Sequence, residues 1–321
     1  MHDRNIRVGL LGLGQMGRNH LRVLSLLRGV DIAFVYDANA DHAANVAAQY
    51  GVETASNLDA AVGNVDALIV CTPTATHAEY VLRFAPRVRA LFVEKPLAHS
   101  LDAAHAIEKA VQGHGTFVQV GFIERFNPAV VGLERVLRDA ERVISIDFTR
   151  TNRLSSRITD VDVVMDLMIH DIDLALYLNG PVKTTAAQGV VQNGLIEFAS
   201  AQLIHQNGRF SRLQASRITE KKIRLIQATC DDRFVDCDLL RKEIQIHRQS
   251  VTQQSDFSAY SIASQQESVV VGQQEALLSE LQTFIQAVRG KGNAPVPVLD
   301  SGISSLAIAE DIIMAISKGH A

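Results

Sequence analysis

Residues 164 to 178 read VMDLMIHDIDLALYL, an apolar run interrupted by Asp166, His170, Asp171 and Asp173. At helical spacing Asp166 and His170 stand one turn apart and Asp173 three residues further on. These three share one face while Asp171 points elsewhere. A carboxylate and an imidazole set into an apolar helix admit three readings: a helix end meeting solvent, a metal-binding pair at i and i+4, or a catalytic base beside an acid. Imidazole is the side chain whose ordinary pKa suits proton transfer near neutrality. A metal would need further ligands, and His77, His99 and His205 form no recognisable set with the pair, so none is expected. A second candidate is Lys95 in VEKP, residues 93 to 96. There Glu94 and Lys95 leave a buried strand and Pro96 stops the ladder.

Such groups need a scaffold. Residues 6 to 122 alternate apolar runs (IRVGLLG, DIAFVYD, DALIVCTP, ALFVEKP, TFVQVGF) with helical patterns. Strand and helix in alternation predict a parallel sheet covered on both faces, with ligands beyond the carboxyl ends of the strands. The first strand runs into GLGQMG, with Gly12, Gly14 and Gly17 enclosing Gln15 and Met16, and then into a helical pattern. Gly12 suits a tight turn, Gly14 a close approach to a pyrophosphate, and Gly17 tight packing of helix on strand. Asp37, at the end of the second strand, accepts from a ribose 2′-hydroxyl and repels a 2′-phosphate. No arginine follows it in Ala38, Asn39, Ala40 and Asp41. NAD is therefore favoured over NADP. CTPTATH, with Thr72, Pro73 and His77, reads equally as a proline-initiated turn with threonine caps or as a cofactor contact.

A chain of 321 residues, 47% of them hydrophobic, is long enough for two cores. Net charge is −4 with no basic block, which argues against nucleic acid or an anionic membrane as partner. No apolar run approaches the roughly 20 residues of a membrane span. No secretory leader pattern opens the chain, and three irregularly spaced cysteines form neither a disulfide framework nor a zinc set. The expected location is the cytoplasm.

Together these pieces resemble the glucose-fructose oxidoreductase, inositol dehydrogenase and MocA family of nicotinamide-dependent sugar oxidoreductases. The resemblance rests on the glycine fingerprint with Asp37, on CTPTATH, on EKPLA, on the helix bearing Asp166 and His170, and on EALLSELQTFIQAVRG followed by APVPVLDSGISSLAIAEDI. It implies an N-terminal Rossmann domain, residues 1–122, and a C-terminal α+β domain, residues 123–321. The second domain would have an open, mainly antiparallel sheet and a last helix, about Asp300 to Lys318, returning toward the first. The segments VISIDFTRT, SAQLIHQN, FSRLQASRI, KIRLIQATC and RFVDCDLL read as its strands, and residues 252 to 268, rich in Ser and Gln, as a loop. The family also implies a homo-oligomer, dimer or tetramer, through that sheet.

The resemblance implies that Lys95 and His170 reach the alcohol being oxidised, with His170 as base, Lys95 polarising the alkoxide and Asp166 orienting the imidazole or the sugar. Lys95 as base remains the open alternative. Many relatives carry Gly where this chain has Met168. Gly12, Gly14, Gln15, Met16, Gly17, Asp37, Thr72, Pro73, His77, Glu94 and Lys95 fall to the cofactor. GFIERFNPAV and RITDVDVVMDLMIHDIDL resemble the subgroup acting on nucleotide-linked amino sugars, which implies the 3-hydroxyl of UDP-N-acetylglucosamine as the target. Arg125, Arg150, Arg153 and Arg157, with Asn127, flank the expected pocket, and guanidinium groups suit a diphosphate. The alternatives are a free-polyol dehydrogenase, such as one for inositol, and a nucleotide-binding regulator without catalysis.

Overall fold

The computed structural model describes residues 4–153, 161–252, 261–291 and 296–319. The chain divides into two compact units, residues 1–123 with 275–307 and residues 124–274 with 308–321. The break falls beside Phe122, but the expectation that everything after it forms the second domain is corrected for residues 275–307. Leu277, Leu281, Phe284, Ile285 and Val288 from that segment are buried in the core of the first unit.

The first unit runs β1 (Ile6–Leu11), α1 (Gln15–Leu24), β2 (Val30–Tyr36), α2 (Ala40–Tyr50), α3 (Leu58–Val62), β3 (Ala67–Val70), α4 (His77–Phe84), β4 (Ala90–Glu94), α5 (Leu101–His114) and β5 (Phe117–Gly121). All neighbouring strands are parallel in the order β2-β1-β3-β4-β5. β3 and β4 are buried along their whole length, which is why they lack polar alternation. The order reverses between β1 and β3, the crevice where such sheets bind ligands. The loops leaving these two strands are GLGQMG and CTPTATH. The Phe92 ring meets Phe284 edge to face, with centroids 5.6 Å apart, fixing the returning segment on the sheet.

The second unit contains α6 (Pro128–Arg138), β6 (Val143–Arg153), α7 (Ile169–Asn179), β7 (Val182–Gln192), β8 (Leu195–His205), β9 (Phe210–Ser216), β10 (Ile218–Cys230), β11 (Phe234–Asp238), β12 (Glu243–Thr252) and β13 (Ser261–Val269). After these come α8 (Ala276–Val288), which belongs to the first unit, and α9 (Leu299–Gly319). The sheet order is β13-β12-β11-β10-β6-β9-β8-β7, antiparallel throughout except for the parallel pair β6 and β9. The expected Ser/Gln-rich loop is corrected in its second half, since β13 pairs with β12 from Ser261 opposite Thr252 to Val269 opposite Ile244. Pairing to a neighbouring strand overrides a composition with weak intrinsic strand preference. Residues 253–260 lie outside the described residues. From Ala199 onward β8 alternates strictly, with Ala199, Ala201 and Leu203 buried and Ser200, Gln202 and Ile204 exposed.

Gly17 is the tightest backbone contact of the first unit. A Cβ there would fall 1.9 Å from the Gly12 carbonyl oxygen, whereas a Cβ on Gly14 would meet nothing within 4 Å. Gly17→Ala is therefore expected to lower stability by about 1–3 kcal/mol or more in urea unfolding, and Gly14→Ala by less than about 0.5 kcal/mol. Equal stabilities of the two variants would contradict this packing.

Candidate active site

The first unit supplies a dinucleotide cradle. Gly12 holds φ at +85°, and its amide donates to the Tyr36 carbonyl at 2.8 Å, turning the chain back over β2. Gly14 precedes the first turn of α1, where Gln15 and Met16 are exposed and the helix N-terminus offers unpaired amides to an anion. The open space over Gly14 is the gap that a pyrophosphate needs. The Asp37 carboxylate accepts from the Leu13 amide at 2.8 Å and the Asn39 amide at 2.9 Å, which shapes the glycine loop while leaving acceptor capacity for a ribose. These residues fit NAD, which when bound supplies a hydride acceptor.

The loop after β3 and the end of β4 are joined. Pro73 leads into a 3-10 turn, Thr74–Thr76, and the Thr76 hydroxyl donates to the Thr72 hydroxyl at 2.8 Å. His77 is 1% exposed, with Nδ1 2.9 Å from the Pro96 carbonyl and Nε2 2.8 Å from the Thr72 carbonyl. Burial lowers its pKa below the ordinary imidazole value, and the neutral ring donates to one of these carbonyls at a time. Its place is therefore between the two loops. Glu94 turns inward to His20, with Oε1 2.6 Å from Nε2, and the half-buried Lys95 follows it through a cis bond to Pro96. Ligand atoms of Cys71, His20 and Glu94 lie within 4.8 Å of one another. Burial, with Glu94 and Glu280 nearby, pushes the Cys71 thiol well up, which favours its protonated form.

The second unit supplies the helix of Asp166 and His170. Its first turn, Val164–Met168, is a π turn, closed by the Ile169 amide donating to the Val164 carbonyl. Widening a turn in this way recurs at functional sites. Asp162 accepts from the Val164 and Met165 amides at 2.9 and 3.0 Å and starts the turn. Asp166 is 23% exposed, with Oδ2 3.9 Å from Arg217 Nη1. His170 is half-buried and Met168 fully buried. Asp171 and Asp173 are structural. Asp171 receives Arg150 Nε and Nη2 at 2.8 and 2.7 Å, and Asp173 receives Arg125 Nε and Nη2 at 2.8 and 2.6 Å.

Arg125 and Arg150 thus have internal carboxylate partners, and Arg125 also lies over the Tyr177 ring at 4.7 Å. Asn127 caps α6, accepting from the Ala129 amide at 3.1 Å and donating to Glu124 at 3.1 Å. Arg150 also donates to Glu124 at 2.8 Å. Burial opposes its charge, but the attraction of Asp171 and Glu124 prevails and raises its pKa. Burial likewise opposes charge on Glu124, and Arg150 holds that carboxyl below the usual range. Arg153 ends β6 and its side chain is not described; Arg157 lies outside the described residues.

Sequence reasoning missed Arg217 and Arg224. Arg217 is fully buried and donates to Glu197 at 2.8 and 3.3 Å. Arg224 donates to the Thr151 carbonyl at 2.6 Å, and burial, followed by repulsion from Arg150, brings its guanidinium down to about 10. Strand alternation was the available signal. Arg224 shares parity with buried Ile226 and Ala228, as Arg150 does with Ile146 and Phe148, which places cations on the apolar face.

Residues 6–122 match the oxidoreductase family with an NAD-binding Rossmann fold, and residues 142–234 match the GFO/IDH/MocA C-terminal domain. The chain is 29% identical over 305 residues to UDP-N-acetylglucosamine 3-dehydrogenase of Acidithiobacillus ferrooxidans, covering 94% of this chain and 93% of that protein. It is 26% identical to inositol 2-dehydrogenase of Rhizobium meliloti, covering 98% and 97%. A solved structure of the A. ferrooxidans enzyme superposes with a TM-score of 0.87 at 28% identity, covering 98% of both chains.

Arg150→Met strands two carboxylates in the interior and is expected to destabilise the second unit by about 3–5 kcal/mol in urea unfolding. Adding Asp171→Asn restores part of that loss. Wild-type stability of Arg150→Met would show that the pairing does not hold α7.

Proposed function

The chain belongs to the GFO/IDH/MocA family of NAD-binding oxidoreductases, and from that premise we propose that it oxidises the 3-hydroxyl of UDP-N-acetylglucosamine, or a closely related UDP-amino sugar, to a ketone with formation of NADH. The observation that carries this reading is the end-to-end likeness to a UDP-N-acetylglucosamine 3-dehydrogenase, in sequence and in fold. The likeness to an inositol dehydrogenase supports a free polyol as the second reading.

The roles follow from the charge that develops. As the substrate C–H bond gives up hydride, the hydroxyl must lose its proton and its oxygen becomes alkoxide-like. His170 takes the proton, Lys95 stabilises the oxygen, and Asp166 orients the imidazole or the sugar. The amides of the Gly12–Gly17 loop hold the cofactor pyrophosphate, and Asp37 holds its ribose and disfavours a 2′-phosphate. Arg153 and Arg157, joined by Arg224, are the guanidinium groups assigned to the substrate diphosphate. Arg125 and Asn127 are engaged by Asp173 and Glu124 within the second unit. The exposed sheet face bearing Ser200, Gln202 and Ile204 is the surface assigned to a homo-oligomer contact. Cys71, Cys230 and Cys237 are free thiols, consistent with a reducing cytoplasm.

NADH absorbance with UDP-N-acetylglucosamine is expected to report turnover, with a product lighter by two hydrogens and a ketone at C3. Free N-acetylglucosamine should lose turnover as well as affinity if the diphosphate positions the sugar. Oxidation of inositol without oxidation of the UDP-sugar would reject the substrate. His170→Ala and Lys95→Ala are each expected to lower kcat by a factor on the order of 10² while NAD binding persists. Near-wild-type turnover in either variant removes its role. Titration with both cofactors should show tighter binding of NAD, and tighter NADP would overturn the reading of Asp37.

A further inference from the structure

We propose that Glu94, His20 and His77 are positioning residues for Lys95, bracing its backbone on both sides from the helices that follow the two cofactor loops. The inference rests on Lys95 being the group that stabilises the alkoxide.

Glu94 closes β4 with its carboxylate buried, 8% exposed, where an apolar residue would complete the strand at lower desolvation cost. Both of its oxygens are in use. Oε1 lies 2.6 Å from His20 Nε2, and Oε2 accepts from the Lys95 amide at 3.2 Å. His20 is fully buried on α1, the helix opened by the glycine fingerprint, and its ring packs edge-on against Phe92 with centroids 5.1 Å apart. Gly121 on β5 makes the room, since a Cβ there would come 2.9 Å from Glu94 Oε2. On the other side of the lysine, the Pro96 carbonyl faces His77 Nδ1 at 2.9 Å, and the same ring reaches Thr72 of the loop after β3.

Residues 94 and 96 are thus each tied to a different segment of the cradle. A lysine stem has several rotatable bonds, so a reproducible placement of its ammonium begins with a fixed backbone. Misplacement of a catalytic group by about 1 Å costs a rate factor on the order of 10². Glu94 therefore acts through the lysine, which separates it from a residue that touches NAD.

The test compares Glu94→Ala, Glu94→Gln, His20→Phe and His77→Ala with Lys95→Ala, by steady-state kinetics with UDP-N-acetylglucosamine and with myo-inositol, alongside NAD titration. Glu94→Ala and His77→Ala are expected to lower kcat by a factor on the order of 10 to 10² with little change in NAD affinity. Glu94→Gln should recover most of the rate, because its amide oxygen still accepts from Lys95 and its amide N–H donates to an unprotonated His20 nitrogen. Should Glu94→Ala fail to fold, His20→Phe keeps the packing on Phe92, removes the bond and reads the same kcat. Wild-type kcat in Glu94→Ala, His20→Phe and His77→Ala overturns the proposal, as does a loss of NAD affinity that matches the loss of kcat, or no rescue by Glu94→Gln. Wild-type turnover of Lys95→Ala would instead sink the assignment of Lys95. Crystal structures of wild type and Glu94→Ala with NAD decide the matter without turnover. The proposal expects one Lys95 position in the former and a displaced or dispersed one in the latter, and an unchanged Lys95 contradicts it.

Discussion

The pairing of Arg150 with Asp171 and Glu124 fixes where α7 lies, and with it where His170 and Asp166 stand. Helix α7 buries Ile169, Ile172, Leu174 and Ala175 and has no polar face to keep toward solvent. Hydrophobic burial has no direction, so on its own it leaves the rotation of such a helix open. Two bidentate pairs remove that freedom, Arg150 on Asp171 and Arg125 on Asp173, each with fork-to-fork geometry. Buried ion pairs are weak sources of stability because desolvation offsets their attraction. Their effect here is on orientation, and the helix they orient carries His170, the proton acceptor we propose.

The two units solve the same problem by different means. In the first, close backbone contact does the positioning. Gly17 sits against Gly12, Asp37 holds the loop by two amides, and the polar group of His20, Glu94 and Cys71 lies under the end of β4. In the second, side-chain charge does it, with Arg217 on Glu197 repeating the pattern of Arg150 on Asp171. In the proposed reaction NAD would be held by amides and one carboxylate, whereas the substrate hydroxyl must be met by groups that exchange protons or stabilise charge.

What was legible in the sequence was local. GLGQMG and Asp37 lie within one strand–helix–strand unit, so their spacing alone fixes their geometry. The strands of the parallel sheet announced themselves through apolar runs of the right length. Partners distant in sequence were hidden. Arg125 finds Asp173 across 48 positions and Arg150 finds Asp171 across 21, so arginines read as diphosphate ligands proved to have carboxylates waiting. The π turn before His170 was invisible because the same residues fit an ordinary helix. β13 was misread because Ser and Gln suggest a loop, while pairing with β12 is a property of the neighbour. The membership of α8 in the first unit is likewise a fact of packing.

The central claim is that hydride leaves C3 of the sugar for NAD. The most direct measurement is a single turnover of UDP-N-acetylglucosamine carrying deuterium at C3, followed by mass spectrometry of both products. The account predicts deuterated NADH, a ketone without the label and a slowed hydride step. Unlabelled NADH with the deuterium retained in the sugar would place the oxidation at another carbon and contradict it.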